Sequence, residues 1–90
     1  MTGKSNFSTK KPLDVMSDFH IEIDKLGVRI SLLLSGASAI RDFSDESALF
    51  RVRGFFVKVN GRGLNITVYE NKTVELVGRI EGVEFIYDKA

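Results

Sequence analysis

The sequence has no cysteine, a single proline and a single histidine. Without cysteine there is no disulfide to brace the fold and no thiolate-based zinc centre. Cysteine-free composition also fits a reducing compartment. Charge of one sign is missing too: thirteen Lys and Arg stand against twelve Asp and Glu, a net charge of +1. That balance argues against a dedicated nucleic-acid binder, which carries a clear basic excess. Long apolar runs are absent, and Leu32-Leu33-Leu34 is three residues long. A membrane-spanning helix needs ~20 apolar residues, so no transmembrane segment is expected. No basic amphipathic helix of the membrane-surface type is visible. Lys4, Lys10 and Lys11 have no apolar stretch after them, so no secretion signal is expected and the chain reads as cytoplasmic.

Ninety residues make one small domain. A core of that size supplies roughly 3–5 kcal/mol without extra support. With disulfides and a cysteine-rich metal site excluded, self-association is the common remaining support. Residues 1–12, rich in Ser, Thr, Lys and Asn and closed by Pro12, read as a disordered tail. Residues 13–90 read as the folded domain.

From Phe19 onward the dominant period is two, which places alternate side chains on opposite faces of a strand. Phe19, Ile21 and Ile23 alternate with His20, Glu22 and Asp24. Leu13 to Leu26 also reads as a helix with Leu13, Met16, Ile23 and Leu26 on one side, but the alternation favours strand. Lys25 to Val28 is a turn, Arg29 to Leu34 a strand, Ala37 to Phe43 another, and Ser44-Asp45-Glu46-Ser47 a turn.

The second half repeats the pattern. Phe50 and Val52 alternate with Arg51 and Arg53 before Gly54; Phe55, Val57 and Val59 follow. Asn60-Gly61 then predicts a tight hairpin turn, since both residues tolerate positive φ. Leu64, Ile66 and Val68 form the next apolar set, Glu70-Asn71-Lys72 the next turn, then Val74 with Leu76, and Val83 with Phe85 and Tyr87. Gly78 and Gly82 inside the last stretch predict a bulge or bend. The expectation is an all-β fold: a small meander of short antiparallel strands forming a sandwich or curled barrel. Its expected core is Ile21, Ile23, Ile30, Phe50, Val52, Val57, Val59, Leu64, Ile66, Val68, Val74, Leu76, Ile80 and Phe85.

No catalytic constellation emerges. His20 has Glu22 and Asp24 on its own strand face but no nucleophile beside it, and reads as a surface histidine between acids. Asp42, Asp45 and Glu46 lack the glycine and spacing of a divalent-cation loop. Gly61-Arg62-Gly63 lacks the Lys-Ser/Thr pair of a phosphate loop and is better explained by a turn. Catalytic, cofactor-binding and metal sites are therefore expected to be absent.

Two binding readings remain. Phe56, Ile86 and Val77 occupy phases where a one-sided sheet carries polar residues, so they are the expected self-association face, with a homodimer as the expected state. The alternative is a small β-barrel binding single-stranded nucleic acid through Arg51, Arg53, Lys58, Arg62 and Tyr69, since basic residues grip phosphate while aromatics stack on bases. Alternation puts Phe50 and Phe55 away from these charges, which makes nucleic acid the weaker reading.

One resemblance covers the chain from His20 to Tyr87. It is carried by His20-Ile21-Glu22-Ile23 and by Leu34-Ser35-Gly36-Ala37 with Ile40 and Phe43-Ser44-Asp45-Glu46. Gly54, Val57, Val59, Gly61, Leu64 and Ile66 continue it, and Val74, Leu76, Gly78, Ile80, Val83 and Phe85 close it. In order and spacing these resemble the YabP/YqfC family of sporulation proteins, with Phe55-Phe56 bulkier than the family pattern and Ala37 where a β-branched residue is usual. The resemblance implies a small β protein of the mother cell in endospore formation, partnered by another sporulation protein. It brings no catalytic residues with it.

Overall fold

A computed structural model describes residues 19–88. The expected tail, residues 1–12, lies outside the described residues. The fold is all-β, a single six-stranded antiparallel sheet. Its strands are β1 (His20–Leu26), β2 (Arg29–Ser35), β3 (Ala39–Phe43), β4 (Ser47–Val52), β5 (Phe55–Glu70) and β6 (Thr73–Tyr87). The spatial order is β1-β2-β6-β5-β4-β3. Every sequence-adjacent pair is bonded except β2 and β3, between which β6, β5 and β4 lie.

That hairpin organises the molecule. Its half nearest the turn is flanked by β2, which runs along residues 73–78. Its open half is flanked by β4, which runs along residues 55–60. Between the halves the register shifts at Asn60/Gly61 and again at Arg62/Asn65. Such bulges bend a strand and sharpen its twist. The buried side chains come from both halves: Leu32, Leu34, Val74 and Leu76 from one, Phe50, Val52, Val57 and Val59 from the other, all with no solvent exposure. Side chains of one sheet face lose all solvent only if the sheet covers itself, so the two halves close over a shared core. Phe19, just before β1, confirms the closure: its ring is 5.1 Å from Phe55 and 6.2 Å from Phe85. Each fully buried side chain contributes about 1.5–3 kcal/mol.

Two expectations are corrected by this geometry. Asn60-Gly61 is not a turn but lies inside the 16-residue strand β5. Its glycine serves a close approach instead: a Cβ on Gly61 would collide with the Arg79 carbonyl. The hairpin turns at Asn71 and Lys72, with φ 52° and 62°, the two consecutive positive φ values of a type I′ turn. The second correction concerns the core. Leu32, Leu34, Ala37 and Ala48 are buried, although none was in the expected set. Ile23, Val68 and Phe85, which were, are exposed: Ile23 lies on the edge strand β1, and Val68 and Phe85 lie on the stretches of β5 and β6 that run past their outer neighbours β4 and β2. The expected turn at Ser44-Asp45-Glu46-Ser47 is present between β3 and β4. Its backbone holds the bend, since the Glu46 carbonyl accepts from Gly61 N–H at 3.0 Å and the Asp45 carbonyl from Leu64 N–H at 2.9 Å.

Candidate functional site

The outward face of the open half carries the apolar residues that alternation left unexplained. Residues paired across antiparallel strands point to the same side, and Arg51, Phe56 and Ile86 are successive partners across β4, β5 and β6. Phe56 is half-buried and Ile86 is 44% exposed. The Arg51 guanidinium lies 4.7 Å from the centre of the Phe56 ring, and that of Arg41 5.9 Å, distances at which a cation is attracted to the ring's π face. Arg51 is further fixed by two 2.8 Å hydrogen bonds to the two oxygens of Asp88. Those hydrogen bonds, helped by the ionic attraction, hold the Asp88 carboxyl below its ordinary range and raise Arg51 above its own. A charge-rimmed apolar strip results.

The strip borders an open strand edge. Asp88 N–H donates to the Gly54 carbonyl at 3.2 Å, which sets the phase of the β5–β6 ladder. Hydrogen-bonded pairs alternate with non-bonded ones. Phe56–Ile86 and Lys58–Glu84 therefore bond to each other, whereas Val83, Phe85 and Tyr87 turn their N–H and C=O groups away from β5. No described strand pairs with them on that side. The other edges are protected in ways edge strands usually are. β1 carries His20, Glu22, Asp24 and Lys25, and β3 is five residues long with a register shift. The far half of β5 is shifted again at Ile66/Val68. From Gly82 to Tyr87 the register is regular and Glu84 is the single charge.

Phe56 and Ile86 are thus brought together. Val77 is not: it pairs with Ser31 and Asn65 beyond the bend. The cations of the nucleic-acid reading are not gathered into one track. Arg51 is tied to Asp88, Lys58 stands opposite Glu84, Arg53 lies in the β4–β5 turn, and Arg62 sits at the bend 3.8 Å from Glu81. Tyr69 is near the hairpin tip, opposite Val74. His20 is exposed and hydrogen-bonded to Glu22 at 3.0 Å. Among the described residues no three His, Asp or Glu side chains lie together as a metal site, and no helix is long and apolar enough to cross a membrane. The open edge was not legible in the alternation, because an edge is a property of strand order.

The structure shows a small all-β domain whose candidate site is a sheet face beside an edge that no other described strand pairs with. No family model matches the chain, and the search of curated proteins finds no match.

Proposed function

We propose that this chain is a non-enzymatic assembly or adaptor module that works as a homodimer through the Phe56–Ile86 strip and the adjoining edge of β6. One observation carries the reading: the regular, nearly uncharged edge Val83–Tyr87 runs beside paired apolar side chains on the outward face. A strand edge of this kind is a template for another strand. A second copy supplies a matching one, because antiparallel pairing of identical edges is self-complementary. The register is set by charge. Centring the two-fold axis on Glu84 or Ile86 would place Glu84 opposite Glu84 or Asp88 of the second copy, and like charges directly opposite are destabilising. Centring it on Phe85 places Glu84 opposite Ile86 and avoids both. The setting we propose is endospore formation in the mother cell, on the strength of the sequence resemblance, with the dimer as a platform for another sporulation protein.

Light scattering and sedimentation equilibrium on the full chain test the reading. A dimer at micromolar concentration is the expected result, and a monomer at high micromolar concentration overturns it.

A further inference from the structure

The β1–β2 hairpin ends in Leu26-Gly27-Val28, and the two apolar side chains are 73% and 85% exposed. Among the described residues neither belongs to the core or packs against it. Gly27, at φ 65°, makes the tight turn that lifts them away from the body. Beside this tip lies a row of cations that the linear sequence hides. Arg62 and Arg79 are direct cross-strand partners. The β2–β6 register ends at Ile30↔Gly78, and the residues just beyond that pair, Arg29 and Arg79, line the same groove. Like charges in facing positions repel, yet three strands contribute arginines to one line. Glu81 is the carboxylate placed against them, 3.8 Å from Nε of both Arg62 and Arg79, too far for a hydrogen bond. Lys25, Val28, Arg29 and Arg79 line one open groove of about 620 Å³, floored by Gly63 and Gly78. The groove therefore joins the apolar tip to the basic row.

We propose that this end of the molecule docks on an anionic lipid surface, with Leu26 and Val28 entering the headgroup–acyl boundary while Lys25, Arg29, Arg62 and Arg79 bind lipid phosphates. Both halves of the arrangement are needed for that partner and neither alone identifies it. Apolar side chains with cations around them bind membranes by buried area plus attraction to anionic headgroups. Long basic side chains keep their charge at the phosphate level while their stems run along apolar surface. A free phosphate would use the arginines and leave Leu26 and Val28 without purpose. A nucleic acid would ask for aromatic rings to stack on, and the groove lining has none. The site shares no residue with the Phe56–Ile86 strip and does not depend on it.

Co-sedimentation of the full chain with vesicles tests this. Strong binding is expected to vesicles of mixed phosphatidylglycerol and phosphatidylcholine, weak binding to pure phosphatidylcholine, and weaker binding to both as salt rises. Leu26→Ser with Val28→Ser, both exposed and so compatible with the fold, is expected to lower the affinity by roughly tenfold or more. Arg29→Gln with Arg79→Gln is expected to lower it by about fivefold for each cation removed. Circular dichroism checks that both variants keep the wild-type fold. No binding to the mixed vesicles overturns the proposal. So does binding that the Leu26→Ser, Val28→Ser variant retains in full, which would mark an anion site alone. An oligonucleotide that displaces the vesicles, with that same variant unaffected, would likewise overturn it in favour of nucleic acid.

Discussion

Phe56 stands directly opposite Ile86 in the β5–β6 ladder, as a hydrogen-bonded pair facing outward. Two residues thirty positions apart thereby make one apolar surface. Phe56→Lys with Ile86→Glu keeps a cross-strand pair of opposite charge while removing that surface. Burial of such side chains is worth about 1.5–3 kcal/mol each, so the double variant is expected to sediment as a monomer with the β circular-dichroism signal retained. A dimer of unchanged affinity would show that the strip is not the interface.

The register of the dimer is testable because the chain has no cysteine of its own. With Phe85 on the two-fold axis, residue 84 of one protomer faces residue 86 of the other. Chains carrying Glu84→Cys and chains carrying Ile86→Cys should each resist oxidation to a covalent dimer, since like positions are then more than ~7 Å apart and beyond disulfide reach. Their equimolar mixture should cross-link readily on a non-reducing gel. Equal cross-linking in all three samples would refute the register while leaving the dimer standing.

Two glycines of β6 should respond in opposite ways. A Cβ on Gly78 would lie 2.7 Å from the Gly63 carbonyl oxygen, and Gly78 holds φ at 155°. Gly78→Val is expected to lower stability in urea by about 1–3 kcal/mol or more, although valine favours strands. Around Gly82 there is open space. Gly82→Ala is expected to be neutral or to stabilise by about 0.4–1 kcal/mol, through the unfolded chain.

Lys72 holds a positive φ that costs a side-chain-bearing residue about 1–2 kcal/mol. Lys72→Gly converts the turn to Asn-Gly, the preferred type I′ pair. A gain of about 1 kcal/mol corresponds to roughly 4–8 °C in Tm for a domain this small, readable by calorimetry. An unchanged or lower Tm would mean that the lysine makes a compensating contact.

The Arg51–Asp88 pair predicts a pH dependence. Asp88 is held below its ordinary carboxyl value by hydrogen bonds from Arg51. Its contribution to stability is therefore complete above the unfolded carboxylate pKa and lost as pH falls through the lower, folded-state value. Asp88→Asn should be less stable than wild type near neutrality, with the difference closing in acid. Parallel stability curves across that range would show that the pair contributes nothing measurable.

Period-two alternation made the strands and their all-β class legible, and most of the core with them. Phe50, Val52, Val57, Val59, Val74 and Leu76 alternate cleanly and are buried. Leu32 and Leu34 were obscured by Leu33, which blurs the phase of their strand. Asn60-Gly61 misled because the same dipeptide suits a turn and a close backbone contact, and only the Arg79 carbonyl distinguishes the two. Phe56 and Ile86 were visible as phase-breakers, but their pairing depends on register. The arginine row was invisible for the same reason: Arg29, Arg62 and Arg79 are far apart along the chain, and strand pairing alone aligns them.

The placing of β6, β5 and β4 between β2 and β3 also has a kinetic consequence. The β1–β2, β3–β4, β4–β5 and β5–β6 pairings are all local and can zip from their own turns. Pairing β2 with β6 is different, since its nearest partners, Ser35 and Thr73, are separated by 73 − 35 = 38 positions. Closing a loop of that length must be compensated by contacts that form only afterwards. That one docking event joins the first hairpin to the rest and seals Leu32 and Leu34 against Val74 and Leu76. That docking is expected to set the pace of folding, so in stopped-flow refolding substitutions in β2 should slow the rate more than equally destabilising ones in β3.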